Sequence, residues 1–156
     1  MRSTLPSDVR RSTFRLAVAA VIVGLAIPLL PVFGEGGLGA FIFSQGLPVR
    51  LLILYSLRWW GSVLVAMVGI WFLKHDQPGP AGGMFLGVGL VVAIGVAGEV
   101  LVTAPHFGRW QYDVILALET VEAILLIVAG SRAIAGASEV GTDGSPPPES
   151  RSVSND

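Results

Sequence analysis

Four long apolar stretches dominate the sequence and constrain its fold more than any other feature. They cover residues 14–33, 49–73, 84–104 and 112–135. A helix that crosses the hydrocarbon core of a bilayer needs about 20 mostly apolar residues. Because backbone groups exposed to lipid must satisfy their own hydrogen bonds, each stretch is predicted to be a helix. The predicted fold class is all-α, an integral membrane bundle of four transmembrane helices with short loops.

The composition supports a bilayer as the solvent of this chain. Of its 156 residues, 53% are hydrophobic and 13% are charged, whereas average soluble domains have about 45–50% and about 25%. A soluble protein of this length has too little interior to bury so much apolar surface. The composition therefore disfavours an ordinary soluble enzyme and a nucleic-acid-binding module, and the net charge of −1 gives no sign of a polyanionic partner.

The two ends of the chain are more polar than the apolar stretches. Residues 1–13 include Arg10 and Arg11, and basic residues before an apolar run also occur in cleaved signal peptides. We predict a retained helix, because an apolar run of about 20 residues exceeds the roughly 7–15 of a signal peptide. Residues 137–156 are rich in serine, glycine, proline and acidic residues. That composition predicts a disordered acidic tail.

Basic residues near the ends of the stretches predict the orientation of the bundle. Two of them, Arg50 and Arg109, fall on one predicted side of the membrane. The other side carries Arg2, Arg10, Arg11, Arg15, Lys74, Arg132 and Arg151. The sequence therefore predicts a multi-pass protein of the cell membrane with both termini in the cytoplasm and with residues 34–47 and 105–111 outside.

Four ionisable residues fall inside the predicted spans and are the main candidates for function. They are Arg58, Glu99, Glu119 and Glu122. A charge in hydrocarbon costs about 2.5–3.5 kcal/mol on insertion scales, so such residues tend to be paired or functional. Glu119 and Glu122 are three residues apart and share one helix face. The four residues are predicted to form either a polar network that fixes helix packing or an ion-coupling site whose carboxyl groups carry a proton or a cation.

The depth of Arg58 depends on where the second span begins. If the span begins at its first apolar residue, Arg58 lies as deep as the two glutamates of the fourth span, at about 1.5 Å per residue. Arg58 then pairs first with one of these glutamates and second with Glu99. If the span begins later, Arg58 snorkels to the outer interface. Trp59 and Trp60 are predicted to be interfacial anchors.

Small residues recur along the third span at a spacing of four. They are Gly83, Gly87, Gly89, Ala93 and Ala97. Small residues at this spacing let helix backbones approach closely in lipid. We expect the third span to pack tightly within the bundle, and a homo-oligomer interface is the alternative.

Several chemistries are disfavoured by residue type and position. The chain has no cysteine, and its two histidines, His75 and His106, fall on opposite predicted sides of the membrane. The histidines therefore cannot jointly bind one metal or haem within the chain, and we predict no metal site and no cofactor. The sequence also contains no nucleotide-binding fingerprint.

Three functional interpretations remain open. The first is an accessory or assembly protein that acts through helix–helix contacts, with the lipid bilayer and a homo-oligomer or larger membrane complex as partners. The alternative is a small proton- or cation-coupled carrier or channel that uses the intramembrane glutamates. The third is a membrane enzyme acting on a lipid or quinone, with Glu99, Glu119 and Arg58 as acid, base and anion-binding groups. The lack of a catalytic pattern favours a protein that is not an enzyme.

Overall fold

The computed structural model describes residues 5–29, 49–103 and 110–142, and these residues are almost entirely helical. The all-α prediction is confirmed for this part of the chain. The four helices are α1 (Ser7–Leu29), α2 (Val49–Lys74), α3 (Pro78–Thr103) and α4 (Trp110–Thr142).

Three of the described helices are long and apolar enough to cross a membrane. Their apolar stretches are Leu57–Lys74 in α2, Pro78–Leu101 in α3 and Asp113–Ser138 in α4. Helix α1 is not among these candidates, and its first half carries Arg10, Arg11 and Arg15. The structure therefore supports three spans of the predicted four, and the first span stays a prediction.

The helices differ from the predicted spans mainly at their ends. Helix α1 begins at Ser7 instead of residue 14, and α3 begins at Pro78 instead of residue 84. Proline is tolerated in a first helical turn because its missing N–H would have no partner there. Helix α4 continues to Thr142, into the segment predicted to be a disordered tail. Hydropathy marks the apolar part of a helix, whereas its backbone hydrogen bonds continue into polar residues.

Some predictions concern segments that lie outside the described residues. They include the whole of the first predicted outer loop, residues 34–47, and most of the second, residues 105–111. The remainder of the predicted tail, residues 143–156, also lies outside them.

The helices pack around the bundle in the order of the chain. Helix α1 packs against α2 and α4, and α3 packs against the same two helices. A short turn joins α2 to α3, in which Asp76 has a φ of 58° and the Gln77 N–H donates to the Phe72 carbonyl oxygen at 3.0 Å. This left-handed residue closes the last turn of α2. Short connections make neighbouring helices antiparallel.

Glycines bring α3 and α4 into backbone contact along a seam formed by Gly82, Gly89 and Gly130. A Cβ atom on Gly130 would lie 2.6 Å from the backbone nitrogen of Leu86 and 2.8 Å from the carbonyl oxygen of Gly82. Side-chain carbons do not approach backbone atoms so closely, so this α3–α4 seam requires glycine at position 130.

The predicted set of packing residues on α3 needs correction. Gly89 is buried at the α3–α4 seam, but Gly83 and Gly87 are exposed, and no described atom lies within 4 Å of a Cβ placed on either. Ala93 is half-buried and Ala97 is exposed. The reason is that α3 is apolar on every side, so a spacing of four identifies a row of small residues but not the row that faces a neighbour.

Three segments that are predicted to be cytoplasmic lie at the same end of the bundle. Arg10 of α1 places Nη1 2.8 Å from Asp76 Oδ1 and donates through Nη2 to the Lys74 carbonyl oxygen at 3.0 Å. Arg132 of α4 donates to the Ser12 hydroxyl of α1. The start of α1, the α2–α3 turn and the second half of α4 therefore share one end, and its assignment to the cytoplasm stays a prediction.

Candidate functional site

Charged residues of three helices meet inside the bundle. Arg58 of α2 donates through Nη2 to Oε1 of Glu99 on α3 at 2.6 Å and to Oε1 of Glu119 on α4. The side chain of Glu119 is 1% exposed, whereas those of Arg58 and Glu99 are 17% and 13% exposed. One guanidinium therefore joins α2 to both α3 and α4.

Two further residues of α2 bind the carboxyl groups of α4. Trp59 Nε1 donates to Glu119 Oε1 at 2.5 Å. The Ser62 hydroxyl lies 2.8 Å from Glu122 Oε1 and 2.9 Å from the Trp59 carbonyl oxygen, and its single proton serves one acceptor at a time. We call the set the polar cluster: Arg58, Trp59, Ser62, Glu99, Glu119 and Glu122.

Helix periodicity explains why α2 points these side chains inward. Four residues of α2 are buried, and their offsets of three, four and seven residues from the first place them on one face of the helix. They are Trp59, Ser62, Val63 and Ala66. The predicted role of Trp59 as an interfacial anchor is therefore corrected, because its ring lies in the core. Trp60, the next residue, is exposed on the outside of the bundle, and its anchor role stays a prediction.

The structure brings together all four charged residues that the sequence singled out. Arg58 contacts Glu119, one of the two predicted first partners, and also Glu99, the predicted second partner. Glu122 is instead held by Ser62. The sequence analysis did not single out Ser62 as a site residue, although its position one turn after Arg58 placed it on the same helix face.

Glycines on two helices make room for the polar cluster. A Cβ atom on Gly24 of α1 would lie 2.7 Å from Glu122 Oε1, and one on Gly95 of α3 would lie 2.5 Å from Arg58 Nη1. Each glycine therefore lets a charged group lie directly against a helix backbone. The sequence analysis missed both residues, because a glycine opposite a buried charge is recognisable only once the helices are packed.

Carboxyl groups outnumber the guanidinium of the polar cluster three to one. Glu119 Oε2 is buried, and the described residues provide no hydrogen-bond partner for it. Unbalanced charge in an environment of low dielectric is costly. An arrangement with an excess of carboxyl groups can therefore hold protons or a cation.

A groove on the outer surface of the bundle leads to the polar cluster. It has a volume of about 830 Å³ and runs between residues 57–65 of α2 and 87–99 of α3. Val91 and Ile94, on its α3 side, are 61% and 71% exposed, so the groove opens outward. Apolar residues and glycines form most of its wall, and Arg58 and Glu99 also line it. We call it the lateral groove.

Within the described ranges, no three histidine or acidic side chains are placed to hold a metal ion. His75 lies at the end of α2, where its Nδ1 is 2.8 Å from the Trp71 carbonyl oxygen. His106 lies outside the described residues.

Comparisons of the chain with known protein families, characterised proteins and solved structures find no match. The class of protein therefore rests on the fold and the site alone. The described chain is an all-helical protein with three helices able to cross a membrane and with an ion-paired polar cluster between them. Such helices are compatible with a membrane protein.

Proposed function

We propose that this chain is a multi-pass protein of the cell membrane that acts as a small proton- or cation-coupled carrier, with the polar cluster as its coupling site. One observation carries the proposal. A cluster with more carboxyl groups than cations among the described residues lies beside a groove that opens to the outside of the bundle. A purely structural network has no need of such an opening.

We further propose that α1 crosses the membrane with the other three helices. Its buried side chains include Ala17, Ala20 and Ile27, which face the bundle. Gly24 lies against the carboxyl group of Glu122, so α1 covers a buried acidic group that would otherwise face lipid. The positive-inside rule then assigns the end with Arg10 and Arg132 to the cytoplasm.

Coupling follows from the contacts of Arg58. Its guanidinium joins α2 to Glu99 and Glu119, so the strength of this connection depends on the charge of the two carboxyl groups. When a carboxyl group takes up a proton, its attraction to the guanidinium falls, and when a cation arrives, a proton can leave. Glu122 takes part in the same way, because the Ser62 hydroxyl joins it to α2. Exchange of a proton for a cation at these carboxyl groups thus changes how firmly α2 is held against α3 and α4.

Transport measurements with a single carboxyl variant test the proposal. The purified protein is reconstituted into liposomes containing a pH-sensitive dye, and gradients of Na⁺, K⁺ or tetraphenylphosphonium are applied. Glu122→Gln keeps the size and the hydrogen-bonding capacity of the side chain but cannot release a proton. Asp113→Asn, an exposed acidic position on the same helix, is the matched control.

We expect cation-driven proton flux in the wild type and in Asp113→Asn, and no flux in Glu122→Gln. Undiminished flux in Glu122→Gln would remove this residue from the mechanism. Absence of flux with all three cations in the wild type would contradict the carrier function itself.

A second candidate function, an accessory or assembly protein, is favoured by the open face of α3. Only 17% of its apolar stretch is buried within the chain, compared with 44% for α4. Ala97 is exposed there, and a small residue facing lipid lets another helix approach. Native mass spectrometry after mild extraction tests this function. A stoichiometric partner or second copy that is lost in Ala97→Leu would support it, and a single-chain particle would count against it.

A further inference from the structure

We propose that the lateral groove binds a lipophilic cation, an apolar molecule with one positive charge, which places its charge at Glu99 and its apolar body along α3. The inference deepens the proposed function, on which it rests, because it names the substrate class of the carrier. Binding can be measured without transport, so the two ideas can fail separately.

The shape of the lateral groove suits a small organic molecule. Its volume of about 830 Å³ falls within the range of about 300–1,000 Å³ that is typical of ligand sites. Gly61, Gly87 and Gly98 line it, and no described atom lies within 4 Å of a Cβ placed on any of them. From Glu99 to Gly87 the wall extends over about 18 Å of helix. The space therefore exists because these glycines have no side chains.

The distribution of polarity along the groove matches an amphiphile. The two charged lining residues lie near the ends of apolar stretches, because Arg58 follows Leu57 at the start of one and Glu99 precedes Leu101 at the end of the other. In a membrane this end of the groove lies close to one interface, and the remaining wall lies along the hydrocarbon. A molecule in the groove would therefore place its charge near the interface and its apolar body deeper.

The charge of the polar cluster selects a cation over an anion. Glu99 lies at the groove with 13% of its side chain exposed, and Arg58 already contacts Glu99 and Glu119 through Nη2. Among the described residues of the polar cluster, three carboxyl groups accompany one guanidinium, so negative charge is in excess when they are ionised. An anionic head would increase this excess, whereas a cation reduces it, and the effect is strong where water is scarce.

Filling the groove is the first test. Binding of tetraphenylphosphonium to the protein in lipid nanodiscs is measured by calorimetry for the wild type, Gly87→Leu and Gly83→Leu. Gly87 lines the groove, whereas Gly83 lies one turn away on the same helix, outside the groove. Both positions have open space for a Cβ, so the two substitutions are a matched pair.

We expect Gly87→Leu to weaken binding about tenfold or more, which corresponds to about 1.4 kcal/mol. We expect Gly83→Leu to change binding less than about twofold. An equal effect of the two variants, or none from Gly87→Leu, would overturn the assignment of the groove. Thermal unfolding of both variants verifies that each is folded.

Reversing the charge of the probe is the second test. Tetraphenylborate has a similar size and shape to tetraphenylphosphonium but carries a negative charge. We expect the cation to bind more tightly than the anion, and Glu99→Gln to reduce this preference. Binding to protein-free nanodiscs is subtracted for each probe, because lipid alone takes up the anion more strongly than the cation. Equal or tighter binding of tetraphenylborate to the wild-type protein after this subtraction would overturn the choice of a cation, whether or not Glu99→Gln folds.

Binding and transport together separate the two proposals. If Gly87→Leu weakens tetraphenylphosphonium binding but the wild type shows no transport, the groove is supported as a binding site and the carrier function is contradicted. Transport that is unaffected by Gly87→Leu would keep the carrier function and contradict the groove as its substrate site.

Discussion

The two neighbours of α3 are held in opposite ways. Against α4, three glycines bring the two helices so close that a Cβ atom on any of them would overlap the facing helix: Gly82, Gly89 and Gly130. Against α2, the groove-lining glycines leave open space, and ion pairs of the polar cluster join the helices at one end of it. Small residues that face a neighbouring helix allow close packing, whereas small residues that face away from it leave an open groove on the surface of the bundle.

The contact between α2 and α3 is itself uneven along its length. Toward the α2–α3 turn, the buried ring of Phe85 lies against Gly69, where a Cβ would be 2.5 Å from the ring carbon Cε1. Farther from the turn, contact is replaced by the lateral groove and by the Arg58–Glu99 ion pair. The two helices are thus closely packed near their connection and separated by open space near the polar cluster.

The largest expected effect is that of Arg58→Leu, which removes the ion pairs that join α2 to α3 and α4. It leaves Glu99 and Glu119 buried without the guanidinium, and breaking a buried ion pair costs about 3–5 kcal/mol. We expect α2 to exchange its amide protons faster while the α3–α4 seam remains protected, as measured by hydrogen-exchange mass spectrometry. Arg11→Leu, at an exposed position, is the control. Equal loss of protection in α2 and α4 would contradict the difference between the two interfaces.

The next largest effect tests the α3–α4 seam. Gly130→Ala places a carbon 2.6 Å from the Leu86 backbone nitrogen, so the helices must separate. Overpacking of this kind costs about 1–3 kcal/mol. We expect a lower midpoint of thermal unfolding in detergent. An unchanged midpoint would mean that the seam can yield without loss of stability.

A smaller effect is expected from Ser62→Ala, which removes one hydrogen bond to Glu122 from the polar cluster. A hydrogen bond of this type contributes about 0.5–1.5 kcal/mol. Ser131→Ala is the control, because the Ser131 hydroxyl bonds only to its own helix among the described contacts, at the Ile127 carbonyl oxygen. Chemical denaturation should show a greater loss for Ser62→Ala, and equal losses would argue that the Glu122 contact adds nothing to stability.

The smallest effect is expected from Gly87→Ala. Its Cβ has no described atom within 4 Å, so the substitution should cause no loss of stability. The higher helix propensity of alanine should raise the free energy of unfolding by at most about 1 kcal/mol. The same thermal unfolding measurement that is used for Gly130→Ala applies. A large destabilisation would mean that the groove is closed in the protein, and that the contrast between the two faces of α3 does not hold.

Much of the fold could be predicted from the sequence because it depends on local properties. The second predicted stretch, residues 49–73, matches the bounds of helix α2 to within one residue, although the part able to cross a membrane begins at Leu57. Long apolar stretches require internal hydrogen bonds whatever their neighbours are, so helix type follows directly. Helix ends were less predictable, because the polar residues at the start of α1 and the end of α4 remain helical without being apolar.

The candidate site could be predicted only in part. The rarity of charges in apolar stretches identified Arg58 and the three glutamates. The inward position of Trp59 and the open space at Gly87 were not predictable, because they depend on which side of each helix meets a neighbour. Helix α3 gave no such signal, since all its faces are apolar.

The sequence predicted four spanning helices, and the described residues support three of them. From the sequence alone it follows that the described chain is helical and that Arg58 and three glutamates lie within apolar segments. These are properties of composition and length, which each segment carries alone. The contacts of Arg58 with both Glu99 and Glu119, and the groove beside them, became visible only in the packed structure. Ion pairs and open space between helices depend on the rotation of each helix about its axis, and that rotation is fixed only by packing against the other helices.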